Sequence, residues 1–321
     1  MEYESFMCKY RHLHNYLKLN RKHFKRPPAG WCSWYSYYQK ITSNELRRNV
    51  DFLAKTLQSY GLEWIQLDDG WHDRGEGHAT NRNFLKICYE KFPEGMKAES
   101  DYIRSCGFRP GIWCVPFMQS AEISELPAEF QKDDFYIKMK DGSNPQKIAN
   151  PPESAIEDDQ YLWGGKYLVD VTSRAGQAYI KKLAALLVDE YGFDYVKVDA
   201  QGGLAEKYQQ AMDSMAQPEV GGVNAYNKAL QIFKDVLGEK RFFLNCAWGF
   251  SSTGICEGIR TGNDVMARWE GIQIAAVATF HWLYLNTLAF YTDPDVLCVR
   301  EPLTYQEARL WTTMISLTGQ L

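Results

Sequence analysis

Two apolar rhythms alternate along this chain. Short apolar runs at residues 29–35, 62–67, 109–115, 195–198, 242–246, 258–260 and 288–291 each close in polar residues, as strands buried on both faces of a parallel sheet do. Between them, segments 43–60, 96–106, 173–191, 224–237, 265–280 and 305–317 read as helices, with apolar residues at helical spacing. In the first of these, Leu46, Val50, Leu53 and Leu57 share one face. Ser43, Asn44 and Glu45 open it with a capping signal, and Gly61 is placed to end it.

Repeated strand–helix units imply an α/β protein with a parallel sheet. Seven units are too many for one open sheet with a single switch point, so the expectation is a (β/α)8 TIM barrel. The sequence ends in SLTGQL at the close of the last of these helices. The barrel, residues 29–321, is therefore expected to be incomplete at its C-terminus, with Gln320 and Leu321 as the start of an eighth strand at most. The long interval 116–168, rich in turn formers, reads as an enlarged loop over the active face.

Charge adds little to that picture. The net charge is −4 and 45% of residues are hydrophobic, so nothing global points to nucleic acid or membrane, and no run of apolar residues is long enough to span a bilayer. Residues 1–28 form a basic segment, with seven Lys or Arg against two Glu before Pro27. A solvated, helical linker is the expectation there, with no apolar signal core. The eight cysteines are scattered without CxxC pairs, which favours free thiols in a reducing, cytoplasmic setting. His72, His78 and His281 lack metal-ligand spacing, and no nucleotide-binding glycine motif occurs. No metal and no cofactor are expected; homo-oligomerisation stays open.

The chemistry gathers where the predicted strands end, which is where barrel enzymes build their sites. In FDYVKVDAQG, alternation puts Lys197 and Asp199 on one face. An ammonium there favours the charged carboxylate that a nucleophile needs, although a structural ion pair has the same signature. LEWIQLDDGW closes a strand with Asp68 and Asp69, either for substrate hydroxyls or for a solvated Asp-Gly turn. IRTGND sets Arg260 four residues before Asp264, which is a general-acid arrangement, a salt bridge, or a cap for the helix expected from 265. YTDPDVL places Asp293 and Asp295 around a proline. The aromatic content of 14% and the stretch GWCSWYSYYQ, with Trp31 and Trp34, suit a sugar platform or a core.

Taken in order, GWCSWYSY, LDDGW, RPGIW, YLVDVTS, DYVKVDAQ, RTGND and TDPDVL resemble glycoside hydrolase clan D. That clan includes the melibiase-type α-galactosidases of families 27 and 36 and the raffinose synthase-like proteins. The resemblance implies a retaining α-glycosidase, most simply an α-galactosidase, acting on oligosaccharides or glycosides. It assigns Asp199 as nucleophile and Asp264 as general acid/base. Lys197, Asp68 and Asp69 would bind sugar hydroxyls, and Trp31 or Trp34 would back the ring. Trp113 of RPGIW joins the substrate-binding set. Arg260 would contact the glycone or hold Asp264, and Asp295 would shape the subsite. Cys246 and Trp248 would shape recognition at the fifth strand, with Ala247 where some members carry a polar residue. Three other readings share these residues: a transglycosylase using the same intermediate, a metal-dependent barrel enzyme with Asp68, Asp199 and Asp295 as ligands, and a non-catalytic sugar-binding barrel.

Overall fold

The computed structural model describes residues 23–73, 83–119, 123–143, 167–199, 203–246 and 252–318. The expected linker helix, apart from its last residues, and Ala247, Trp248, His78, Gln320 and Leu321 lie outside them. Seven strands form one sheet: β1 (Gly30–Cys32), β2 (Trp64–Leu67), β3 (Arg109–Cys114), β4 (Tyr195–Val198), β5 (Phe242–Asn245), β6 (Gly258–Arg260) and β7 (Tyr291–Asp293). Each pairs in parallel with its neighbour in sequence order. Strands so ordered, with helices returning on the outside, are the (β/α)8 TIM-barrel architecture, of which these are seven strands.

The helices are α1 (Ser43–Thr56), α2 (Gly95–Ser105), α3 (Arg174–Ala185), α4 (Leu204–Gln210), α5 (Gly222–Leu237), α6 (Trp269–Trp282) and α7 (Tyr305–Thr318). Thr42 caps α1, its hydroxyl accepting from the Glu45 N–H. Leu46, Val50 and Leu53 are buried on one face of it, and each such side chain contributes roughly 1.5–3 kcal/mol by leaving water. They join Ile65, Leu67, Ile112, Val196, Val198 and Phe243 in the main core, between sheet and helices.

Alternate residues point into the barrel. At one end they are aromatic: Trp64, Tyr195, Phe242 and Tyr291 form a cluster with Phe24. Tyr195 meets Trp64 and Phe242 edge-on at 5.7 and 5.5 Å. Gly111 in RPGIW leaves room for this layer, because a Cβ there would come within 2.7 Å of the Tyr195 ring. Two residues further along β2, β4 and β7 come Gln66, Lys197 and Asp293, with Arg260 of β6 beside Asp293; two further come Asp68, Asp199 and Asp295. The interior thus grades from apolar to charged toward the carboxyl ends.

Several boundaries differ from the sequence expectation. β1 stops at Cys32, and Trp34–Tyr37 is a helical turn. The apolar residues before β7 do not belong to it. Thr287 turns the chain with φ 65°, and Leu285, Ala289 and Phe290 pack on Ile259 as a buried loop. The helix expected from residue 265 begins at Trp269, with Arg268 as its cap. The enlarged loop contains a two-stranded ribbon, Met118–Gln119 with Tyr167–Leu168, and α4 had no clear sequence signal. Seven cysteines are described, and all are free. Among the described residues, no helix is long and apolar enough to cross a membrane.

Candidate active site

A cavity of about 260 Å³ opens at the carboxyl ends of the strands, lined by Trp34, Asp68, Asp69, Trp113, Lys197, Asp199 and Asp264. Asp199 and Asp264, far apart in sequence, line this single pocket. A larger cavity of about 870 Å³ adjoins it through Lys197 and runs between β1 and β7, inside the sheet. The smaller one is the pocket that both Asp199 and Asp264 line.

Lys197 reaches the site by strand alternation, but its nearer partner is Asp68. Its ammonium donates to Asp68 Oδ2 at 2.9 Å and stands 4.0 Å from Asp199 Oδ2. Burial works against the Lys197 charge, yet Asp68 and Asp199 outweigh it and hold its pKa well above the ordinary lysine value. Asp68 also accepts from Gln66 Nε2 at 2.7 Å and from the Cys32 thiol at 3.4 Å. Asp68 is therefore held fast beside the ammonium.

Asp199 accepts from the Trp113 indole, Nε1 to Oδ2, at 2.9 Å. Trp113 cannot easily turn. Its ring lies parallel to His72 at 6.2 Å and against Phe84 at 5.8 Å, and its carbonyl accepts from Trp71 Nε1 at 2.9 Å. Trp71 itself is fully buried, so this tryptophan of LDDGW braces the site from behind. Asp69 lines the pocket, but its oxygens accept from Gln39 Nε2 at 2.7 Å and meet His72 Nε2 at 3.0 Å. Those bonds fix the orientation of Asp69 at the pocket.

Arg260 organises the other wall. It bonds Asp264 Oδ1 at 3.0 Å, Asp293 Oδ2 at 2.9 Å and Asp295 Oδ1 at 3.1 Å. Burial opposes the guanidinium charge, but Asp295 and Asp293 more than offset it and push the pKa well up. Asp264 stays about half exposed at 48%, and it is not a helix cap, since α6 starts five residues later. Asp295 is buried, which pushes its carboxyl up to about 6; Arg260 opposes this, while Asp264 and Asp293 add to it.

Four expected residues, Trp31, Cys246, Arg260 and Asp295, fall outside the pocket lining. Trp31 and Asp295 line the larger cavity, so Trp34 rather than Trp31 is the aromatic wall of the pocket. Cys246 is buried among the interior aromatics, and burial pushes its thiol well up. Asp170 in YLVDVTS is a structural brace, accepting from Thr172 and from the Ala216 N–H. Tyr35 and Gln39 join the site's hydrogen-bond network although no motif singles them out. Tyr35 carried a signal only as part of the aromatic run after β1. Among the described residues, no group of three or more His, Cys, Asp or Glu is placed to hold a metal ion. The proposed ligand trio does not converge, because Asp68 and Asp199 face Lys197 while Asp295 faces Arg260.

The melibiase family model matches residues 7–257. The chain belongs to the melibiase family. Within and around that family, α-galactosidase Mel36A of Lactobacillus acidophilus is 25% identical over 64% of this chain and 26% of its own length. An α-galactosidase of Oryza sativa subsp. japonica is 27% identical over 85% of this chain and 51% of its own. The chain thus spans about a quarter to a half of these curated relatives. TtGalA, an α-galactosidase from Thermus thermophilus solved with p-nitrophenyl α-D-galactopyranoside, superposes with a TM-score of 0.71 at 26% identity, covering 96% of this chain and 60% of that one. A β-L-arabinopyranosidase from Geobacillus stearothermophilus, at 19% identity and a TM-score of 0.66, covers 96% of this chain and 72% of that one and shares the fold.

Proposed function

We propose that this chain carries the catalytic barrel of a retaining α-galactosidase. The observation that carries the reading is the single pocket lined by Asp199 and Asp264 together with Lys197, Asp68 and Trp34. Relatives named as α-galactosidases, one of them solved with an aryl α-galactoside, support the choice of sugar.

In this reading the galactosyl ring lies against Trp34, with Asp68 and Lys197 beneath it for its hydroxyls. Asp199, oriented by the Trp113 indole, attacks the anomeric carbon and forms a galactosyl ester. Asp264, held by Arg260, gives its proton to the departing oxygen. It then takes a proton from water, which cleaves the ester and releases galactose with its configuration retained. Retention requires carboxyl groups about 5–5.5 Å apart, against about 6.5–9.5 Å for inversion. The test is proton NMR of the first sugar released from an aryl α-galactoside by the full-length protein, alongside Asp199→Asn. The reading expects the α-anomer, and a variant that binds galactose but does not turn over. First release of the β-anomer, or full activity in the variant, overturns it.

A further inference from the structure

The proposed proton donor sits on a stretch without regular structure. Asp264 lies between β6 and α6, and its side chain is half exposed. A proton donor there needs an external hold, and the structure supplies one from the end of the neighbouring strand β7. Asp295 Oδ2 accepts from the backbone N–H of Val265, the residue after Asp264, at 2.8 Å. Its other oxygen meets Arg260 Nη2 at 3.1 Å, and Arg260 Nη1 holds Asp264 at 3.0 Å. Asp295 thus grips both the backbone and the side-chain partner of Asp264.

Asp295 is in turn fixed by Tyr35. The Tyr35 hydroxyl donates to Asp295 Oδ2, reaching over from the turn after β1 to the end of β7. Arg300 Nη1 also donates to the Tyr35 carbonyl, and Tyr35 packs against the apolar cluster that includes Val265 and Cys298. The Asp295 backbone has little room to adjust: its φ is 78°, a region costly for a residue with a Cβ, and its N–H is tied to Asp293 Oδ1 at 2.8 Å. Its side chain is 2% exposed, so water cannot replace a lost donor. Burial pushes the Tyr35 phenol well up, with Asp295 adding to it, so the hydroxyl remains a donor.

We propose that Tyr35 is a positioning residue for the acid step, acting through Asp295 on Arg260 and the Val265 backbone to hold Asp264 at the pocket. Tyr35 does not line the pocket and does not touch the reacting atoms. Its loss leaves Asp295 short of a donor, and the carboxyl then turns or takes a proton. Either change alters how Arg260 divides itself among Asp264, Asp293 and Asp295.

This rests on the α-galactosidase reading, and leaving-group dependence separates the two. kcat/KM reports the step in which the glycosidic bond breaks, and only a poor leaving group needs the acid there. In the full-length protein, Tyr35→Phe is expected to lower kcat/KM roughly ten- to hundredfold on an oligosaccharide α-galactoside, the scale of a hydrogen bond to a charged group. On a dinitrophenyl α-galactoside the change is expected within about threefold. In an Asp295→Asn background the same substitution is expected to add nothing further, because the effect runs through Asp295. An equal loss on both substrates, no loss on either, full additivity with Asp295→Asn, or failure of Tyr35→Phe to fold overturns the positioning role. Wild-type protein that cleaves neither substrate sinks the α-galactosidase reading and this proposal with it.

Discussion

The Trp113 indole donates to Asp199 Oδ2 at 2.9 Å, while the Lys197 ammonium stands 4.0 Å from that same oxygen. The aromatic ring, not the lysine, makes the short contact with the proposed nucleophile. Lys197 belongs first to Asp68, and its effect on Asp199 is that of a neighbouring charge.

Trp113→Phe tests this division. Phenylalanine keeps a ring against His72 and Phe84 but removes the donor to Asp199. A hydrogen bond to a charged group is worth about 1.5–3 kcal/mol, so kcat is expected to fall roughly ten- to hundredfold. Steady-state kinetics and a melting curve check it. Unchanged kcat in a folded variant would show that the indole does not orient Asp199.

Lys197→Met removes a buried charge while keeping most of the side-chain volume. Lys197 and Asp68 are 5% and 3% exposed, so the carboxylate left behind cannot be screened by water. The expected cost is about 3–5 kcal/mol, read by urea denaturation. Adding Asp68→Asn is expected to restore part of it; a double variant less stable than Lys197→Met would contradict the pairing.

Asp295 makes stability depend on pH with a definite sign. Its folded pKa, raised to about 6 by burial and then by its acidic neighbours against the pull of Arg260, exceeds the unfolded value of about 3.9. The fold therefore prefers the protonated carboxyl. The resulting stability is fully present below about pH 4 and is lost as pH rises through about 6. The difference is roughly 3 kcal/mol at 1.36 kcal/mol per pKa unit. Melting temperatures of wild type and Asp295→Asn across pH 4–7 are expected to diverge in that window. Parallel curves would place the titration elsewhere.

Much of this site is legible in the sequence where strand geometry governs it. Alternation alone puts Lys197 and Asp199 on one face, and the structure has both at the pocket. The Arg260–Asp264 contact follows from their spacing and the strand end before them. What alternation cannot give is which atoms meet across strands. The sequence pairs Lys197 with Asp199, whereas β2 brings Asp68 closer. Asp69 reads as a second hydroxyl binder, and what the sequence does not display is that Gln39 and His72, from outside the strand, also meet its oxygens. The apolar residues before β7 resemble a strand because a buried loop and a buried strand have the same composition. The pairing of Tyr35 is hidden for a simpler reason: its partner, Asp295, is 260 residues away.

The most direct test of the central claim uses Asp264→Asn with a dinitrophenyl α-galactoside. Bond cleavage then needs no acid, but release of the ester still needs the missing base. The two-carboxylate account predicts a burst of one dinitrophenol per active site and a galactosyl ester that peptide mass spectrometry locates on Asp199. No burst and no adduct in a folded variant, or an adduct on another residue, would contradict it.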